Sequence, residues 1–141
     1  MTETGILNRD IAAEISKLGH TDMMLIADAG LAIPNSTKVI DISLRQNEPD
    51  ALSVLDEVLV HFSVEKIIYS QATSAVSPTR ESEFLKRFSR EVSIEVVPHE
   101  VFRDSLTKKV KFAIRTGDFT ANSNIILVSA GGPRWYCEIR S

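Results

Sequence analysis

Leu18-Gly19-His20-Thr21-Asp22-Met23-Met24-Leu25-Ile26-Ala27-Asp28-Ala29-Gly30-Leu31-Ala32-Ile33-Pro34 closes one helix, runs through one strand and opens one turn. Upstream, Ile11, Ile15 and Leu18 recur at helical spacing behind Asn8, a good N-cap, so a helix of about ten residues is expected to end at Gly19, which suits a left-handed cap. Met23 to Ala27 is an apolar run of strand length, and Asp28 stands where it gives way to a turn rich in Gly and Pro. This reading sets His20 and Asp28 at two neighbouring loop mouths, where side chains meet a small ligand without belonging to the core.

Outward from this stretch, strands and helices alternate over the whole chain, with no linker, repeat or low-complexity tract. Ile40, Ile42 and Leu44 alternate with Asp41 and Ser43 like a half-buried strand, and Pro49-Asp50 opens a helix with Leu52, Leu55, Leu59 and Phe62 on one stripe. Val64 to Ser70 reads as a strand, Pro78 to Glu91 as an amphipathic helix and Val92 to Val97 as a further strand. A short helix follows His99. Lys111 to Thr116 and Asn124 to Ser129 are expected to form a final hairpin across a Gly-containing turn. Such alternation calls for a mostly parallel sheet covered by helices.

Composition narrows the function classes. At 141 residues, 43% hydrophobic and 25% charged, the chain reads as one domain over 1–141, with 131–141 a tail after Gly131-Gly132-Pro133. A formal net charge of −3, with Lys108, Lys109 and Lys111 free of interleaved aromatics, argues against nucleic acid as a partner. No run approaches the ~20 apolar residues of a membrane span and the N-terminus does not resemble a secretory signal, so a cytoplasmic protein is expected. The single cysteine, Cys137, excludes an internal disulfide and disfavours a cysteine-based metal site. Neither G-x-G-x-x-G, the P-loop pattern nor G-x-S-x-G occurs, which removes the usual phosphate cradles and the nucleophile elbow.

The opening stretch resembles, nearly residue for residue, the start of the D-ribose pyranase family, the RbsD/FucU sugar mutarotases. The resemblance rests on Leu7-Asn8, Leu18-Gly19-His20, Asp22, Asp28-Ala29-Gly30 and Ile33-Pro34. It continues through Ile40-Asp41, Leu44, Pro49, Pro98-His99-Glu100, Ile114-Arg115-Thr116-Gly117 and Asn124-Ile125-Ile126-Leu127, and is weakest between Tyr69 and Arg90. It implies a three-layer α/β/α fold with Rossmann-like character. It also implies a cofactor-independent, metal-free interconversion of the pyranose and furanose forms of D-ribose or a similar aldose, and homo-oligomers, pentamers or paired decamers, with pockets near subunit boundaries. His20 would be the catalytic proton donor, with Asp28, His99 and Asn124 binding the sugar.

Two histidines and an aspartate suffice for that chemistry, since ring opening needs only a proton removed from the anomeric hydroxyl and one delivered to the ring oxygen. An unperturbed imidazole gives and takes protons near neutrality. Structural readings stand beside the catalytic ones: His20 as a complement to a helix dipole, Asp28 as a turn former, His99 as a solvent-facing first residue of a helix. His61 carries no motif and reads as a surface or partly buried packing residue.

The chain also departs from the family. Its Tyr-x-Asn becomes Asn122-Ser123-Asn124, so Asn122 offers the sugar a short amide in place of an aromatic face. Trp135 and Tyr136 in the tail could supply that face, from the same or a neighbouring subunit, or be a packing tail. Two alternatives keep the sugar pocket: a fucose-type mutarotase, disfavoured by Gly30 and Ile33-Pro34, and a non-catalytic sugar-binding or regulatory subunit.

Overall fold

The computed structural model describes residues 1–139. In chain order the elements are α1 (Arg9–Ser16), β1 (Met23–Ala27), β2 (Val39–Asp41), α2 (Ala51–His61), β3 (Ser63–Ser70), α3 (Gln71–Val76), α4 (Pro78–Leu85), β4 (Ser93–Val97) and α5 (His99–Val101). The last helix runs through a π-helical turn, Phe102–Leu106, into α6 (Thr107–Lys109), before β5 (Phe112–Arg115) and β6 (Ile125–Ala130). The strands form one sheet in the order β2-β5-β1-β6-β3-β4. β6 lies antiparallel between β1 and β3, and the other pairs are parallel.

The expected hairpin is therefore absent. β1 lies between β5 and β6, pairing Ile26 with Ile114 on one side and Ile125 on the other. All three strands are apolar on both faces, and the middle of a sheet is where such strands bury most surface. A crossing by residues 116–124 replaces the tight turn, and that crossing builds much of the candidate site.

Two apolar layers sandwich the sheet, giving the three-layer arrangement. Ile11 of α1, Leu55 and Val58 of α2 and Phe84 of α4 pack on the face of Ile26, Ile67, Ile114 and Leu127. Phe102, Leu106 and Val110 pack with Leu31 on the opposite face, against Leu25, Ala113, Ile126 and Val128. Asn8 caps α1, its side chain accepting from the N–H groups of Asp10 and Ile11 at 3.0 Å. The helix stops at Ser16, and Thr21 rather than Gly19 takes the left-handed conformation, at φ 71°. Gly19 is tied down instead by its N–H to Asp22 Oδ2, 2.8 Å.

The helix expected over 78–91 is shorter, and α3, unmarked by any periodicity, precedes it. No helix among the described residues is long and apolar enough to cross a membrane. The tail to residue 139 turns back at Gly132, whose carbonyl accepts from the Trp135 N–H at 3.0 Å; residues 140 and 141 of the expected tail lie outside the described residues.

Candidate active site

The strand order leaves a cleft of ≈ 680 Å³ beyond the carboxyl ends of β1 and β4, where open α/β sheets place their ligand sites. Three segments line it: Asp28 to Ala32 after β1, His99 and Arg103 after β4, and the crossing from Asp118 to Asn124. Asp28, His99, Asn122 and Asn124, expected from sequence to contact a ligand, are thus brought together.

Asp28 and Asn124 hold each other. The Asp28 N–H donates to Asn124 Oδ1 at 2.7 Å and the Asn124 amide donates to Asp28 Oδ2 at 3.2 Å. Asp28 Oδ1 also accepts from the N–H groups of Gly30 and Leu31, 2.9 and 2.8 Å away. The turn-forming role and the cleft-lining role are therefore the same role: the backbone fixes one carboxylate oxygen, while the other keeps acceptor capacity for a ligand hydroxyl. His99 opens α5, and its Nδ1 lies 3.0 Å from Ser70 Oγ at the end of β3. Ser70 Oγ also accepts from the Ala72 N–H, so one hydroxyl ties His99 to the first turn of α3. Asn122 sits in the left-handed region at φ 57°, a conformation that asparagine tolerates better than most residues.

Asp118 is a cleft residue for which no sequence signal was found. Its side chain is fully buried and paired with Arg80 of α4. It also accepts from the N–H groups of Ala51 and Thr120 at 2.8 and 2.7 Å. Burial pushes its carboxyl up, but the two N–H donors and the Arg80 guanidinium outweigh that and hold it below the usual carboxylate range. Arg103 is a second such residue, its guanidinium forked onto Asp104 at 2.8 and 2.9 Å. Phe119 is the third, 64% exposed on the cleft wall. Among the described residues no group of three or more His, Cys, Asp or Glu is arranged to hold a metal ion.

His20 does not join this cleft. β1 separates it from Asp28, and at about 3.3 Å per residue Asp22 to Asp28 alone spans roughly 20 Å. The two residues stand at opposite ends of the sheet, not at neighbouring loop mouths, because the strand between them runs straight through. His20 Nε2 lies 3.1 Å from Glu65 Oε2 near the start of β3, with its side chain 68% exposed. Trp135, largely exposed, lines a groove with Phe62 and Ser63 at that same end, so the tail does not complete the cleft of its own chain. His61 closes α2 and pairs with Glu57 at 3.0 Å on the surface, the first of the two readings the sequence allowed it.

A model described as the RbsD / FucU transport protein family matches residues 1–131. The D-ribose pyranase of Streptococcus uberis is 42% identical over 129 residues, covering 92% of this chain and 97% of its own. That of Halalkalibacterium halodurans is 40% identical over the same length and the same shares. The Bacillus subtilis RbsD structure complexed with D-ribose superposes with a TM-score of 0.87 at 37% identity, over 93% of this chain and 98% of that one. FucU from Bifidobacterium longum shares the fold at a TM-score of 0.72 and 16% identity, over 90% of this chain and 97% of that one.

Proposed function

This chain belongs to the RbsD/FucU family, and on that premise we propose that it interconverts the pyranose and furanose forms of D-ribose, or of a similar aldose, without a cofactor. The observation that carries the reading is the convergence of Asp28, His99, Asn122 and Asn124, drawn from three distant stretches of sequence, on one cleft. The chemistry is proton traffic. As the bond from the anomeric carbon to the ring oxygen breaks, the anomeric hydroxyl gives up its proton and the ring oxygen gains one, leaving the open-chain aldehyde. Attack of the 4-hydroxyl on the aldehyde carbon then closes the furanose, with the two proton transfers reversed in sense. The Asp28 carboxylate accepts from a sugar hydroxyl, the Asn122 and Asn124 amides can donate or accept, and His99 orients a hydroxyl.

His20 is the proton donor in this proposal, and its distance from its own cleft gives it to a neighbouring subunit. In a closed ring, a pentamer or a paired decamer, the end of the sheet bearing His20 and Glu65 on one copy meets the cleft of the next. Two observations support this: the exposure of His20, and the exposed apolar side chains of Phe119 on the cleft wall and Leu44 on the neighbouring turn that holds it, through the Leu44 N–H to the Glu48 carbonyl and the Phe119 N–H to Asn47 Oδ1. The proposal includes a cytoplasmic location, where the exposed Cys137 stays reduced.

Saturation-transfer NMR on D-ribose tests it. Faster exchange between pyranose and furanose signals in the presence of protein is the expected result. Binding without acceleration would make the protein a non-catalytic sugar-binding subunit, and absence of binding would sink the reading for ribose.

A further inference from the structure

We infer that Arg80 is a positioning residue for the sugar-binding loop, acting through Asp118 and Ser123 and not by touching the sugar; the inference rests on the cleft as the monosaccharide site. Phe119 to Asn122 line the cleft, with Asp118 immediately before them and Ser123 immediately after. One guanidinium nitrogen of Arg80 donates to both flanking residues, to the Asp118 carboxylate and to Ser123 Oγ, the latter at 2.6 Å. Ser123 Oγ in turn lies 3.3 Å from Asp118 Oδ2, which closes the triangle. The loop is therefore drawn together at both ends by a single side chain that is itself only 11% exposed.

What the clamp holds is the ligand-facing geometry. Ser123 is followed by Asn124, whose amide is exchanged with Asp28, and preceded by Asn122 in its left-handed conformation. Neighbours of Arg80 add two backbone ties to the same loop, Thr73 Oγ1 to the Asn122 carbonyl and Ser77 Oγ to the Ala121 carbonyl, each 2.7 Å. The segment from residue 73 to residue 80, where the sequence resemblance is weakest, thus backs the whole loop.

Stability alone is a poor explanation for this arrangement. Burying an ion pair costs desolvation that its attraction often only offsets, and apolar replacements of such pairs are frequently as stable. The geometry is moreover aimed at the loop at the expense of the guanidinium: Arg80 Nε is buried without a hydrogen-bond partner among the described residues, 3.8 Å from the Glu83 carboxylate. The planar guanidinium fixes the directions of the two N–H bonds on that one nitrogen, and so the spacing of the two acceptors they reach, whereas a lysine ammonium is a point charge on a flexible stem.

Arg80→Lys and Ser123→Ala are the variants of choice, because neither leaves the Asp118 carboxylate without a nearby cation. Losing one buried hydrogen bond should raise the ribose dissociation constant about tenfold and speed amide hydrogen exchange at Thr120 by a similar factor. The ring-exchange rate at saturating ribose should change by less than about threefold, since the substitution acts on binding and not on proton transfer. A merely structural arginine would lower the unfolding midpoint and leave ribose affinity of the folded protein unchanged; that result, or unchanged exchange at Thr120, overturns the inference. If the parent protein itself fails to bind ribose, the functional reading falls, and exchange at Thr120 decides the clamp alone.

Discussion

His20 is exposed and, among the described residues, paired only with Glu65, whereas Asp28 and His99 are held by backbone and hydroxyl partners inside the cleft. Their substitutions should therefore separate. His20→Ala is expected to lower the ring-exchange rate by about 10²-fold while largely sparing ribose affinity, as removal of a general acid does. Asp28→Ala and His99→Ala should weaken affinity first, which titration with ribose measures. Asn122 poses a different problem, because the family's tyrosine would have to adopt φ 57° here. Asn122→Tyr should tighten ribose binding by supplying a face for the sugar's C–H groups, at a stability cost of about 1 kcal/mol for the left-handed backbone. Urea unfolding and ribose titration on the same variant read the two effects separately.

The helical segment from His99 to Lys109 shows how an element positions chemistry. Phe102, fully buried in its π-helical turn, anchors the segment to the sheet face of Leu25 and Ile126, with His99 and Arg103 lying within one turn of it at the cleft. Phe102→Ala should cost about 3–5 kcal/mol in urea unfolding and loosen ribose binding as well. Phe84 of α4, equally buried on the other face, should cost as much when truncated, with its effect on the site confined to what α4 carries.

Asp118 links α4, the start of α2 and the cleft loop. Its folded carboxyl titrates below the usual carboxylate value, so its contribution to stability is fully present above about pH 4 and is lost as pH falls through the lower, folded value. Thermal unfolding followed from neutral pH into acid should accordingly steepen below about pH 4, and Asp118→Asn, less stable at neutrality, should flatten that acid limb.

At the scale of the whole molecule, the distance between His20 and Asp28 makes assembly a catalytic question. Mixing His20→Ala chains with Asp28→Ala chains under conditions that allow subunits to exchange should restore part of the activity that neither has alone, since some boundaries then combine an intact His20 with an intact cleft. Light scattering gives the companion test: a mass several times the 15.6 kDa of one chain is expected, and a fully active monomer would refute the shared site.

Read by itself, the sequence determined the alternation of strands and helices and the Asn8 cap, because local periodicity and cap chemistry are written in neighbouring residues; Asp28, His99, Asn122 and Asn124 were legible through the resemblance of short motifs to a family. The tertiary structure decided which strands are neighbours. β5 and β6 adjoin in sequence but are parted by β1, because burial of apolar strands on both faces is settled by the sheet as a whole. It also decided that His20 and Asp28, eight positions apart, face opposite ends of the molecule, while Arg80 and Asp118 meet across α4 and the crossing loop. A buried pair of that kind leaves no periodic trace, since a long-range contact depends on how elements pack and not on the spacing of residues along the chain.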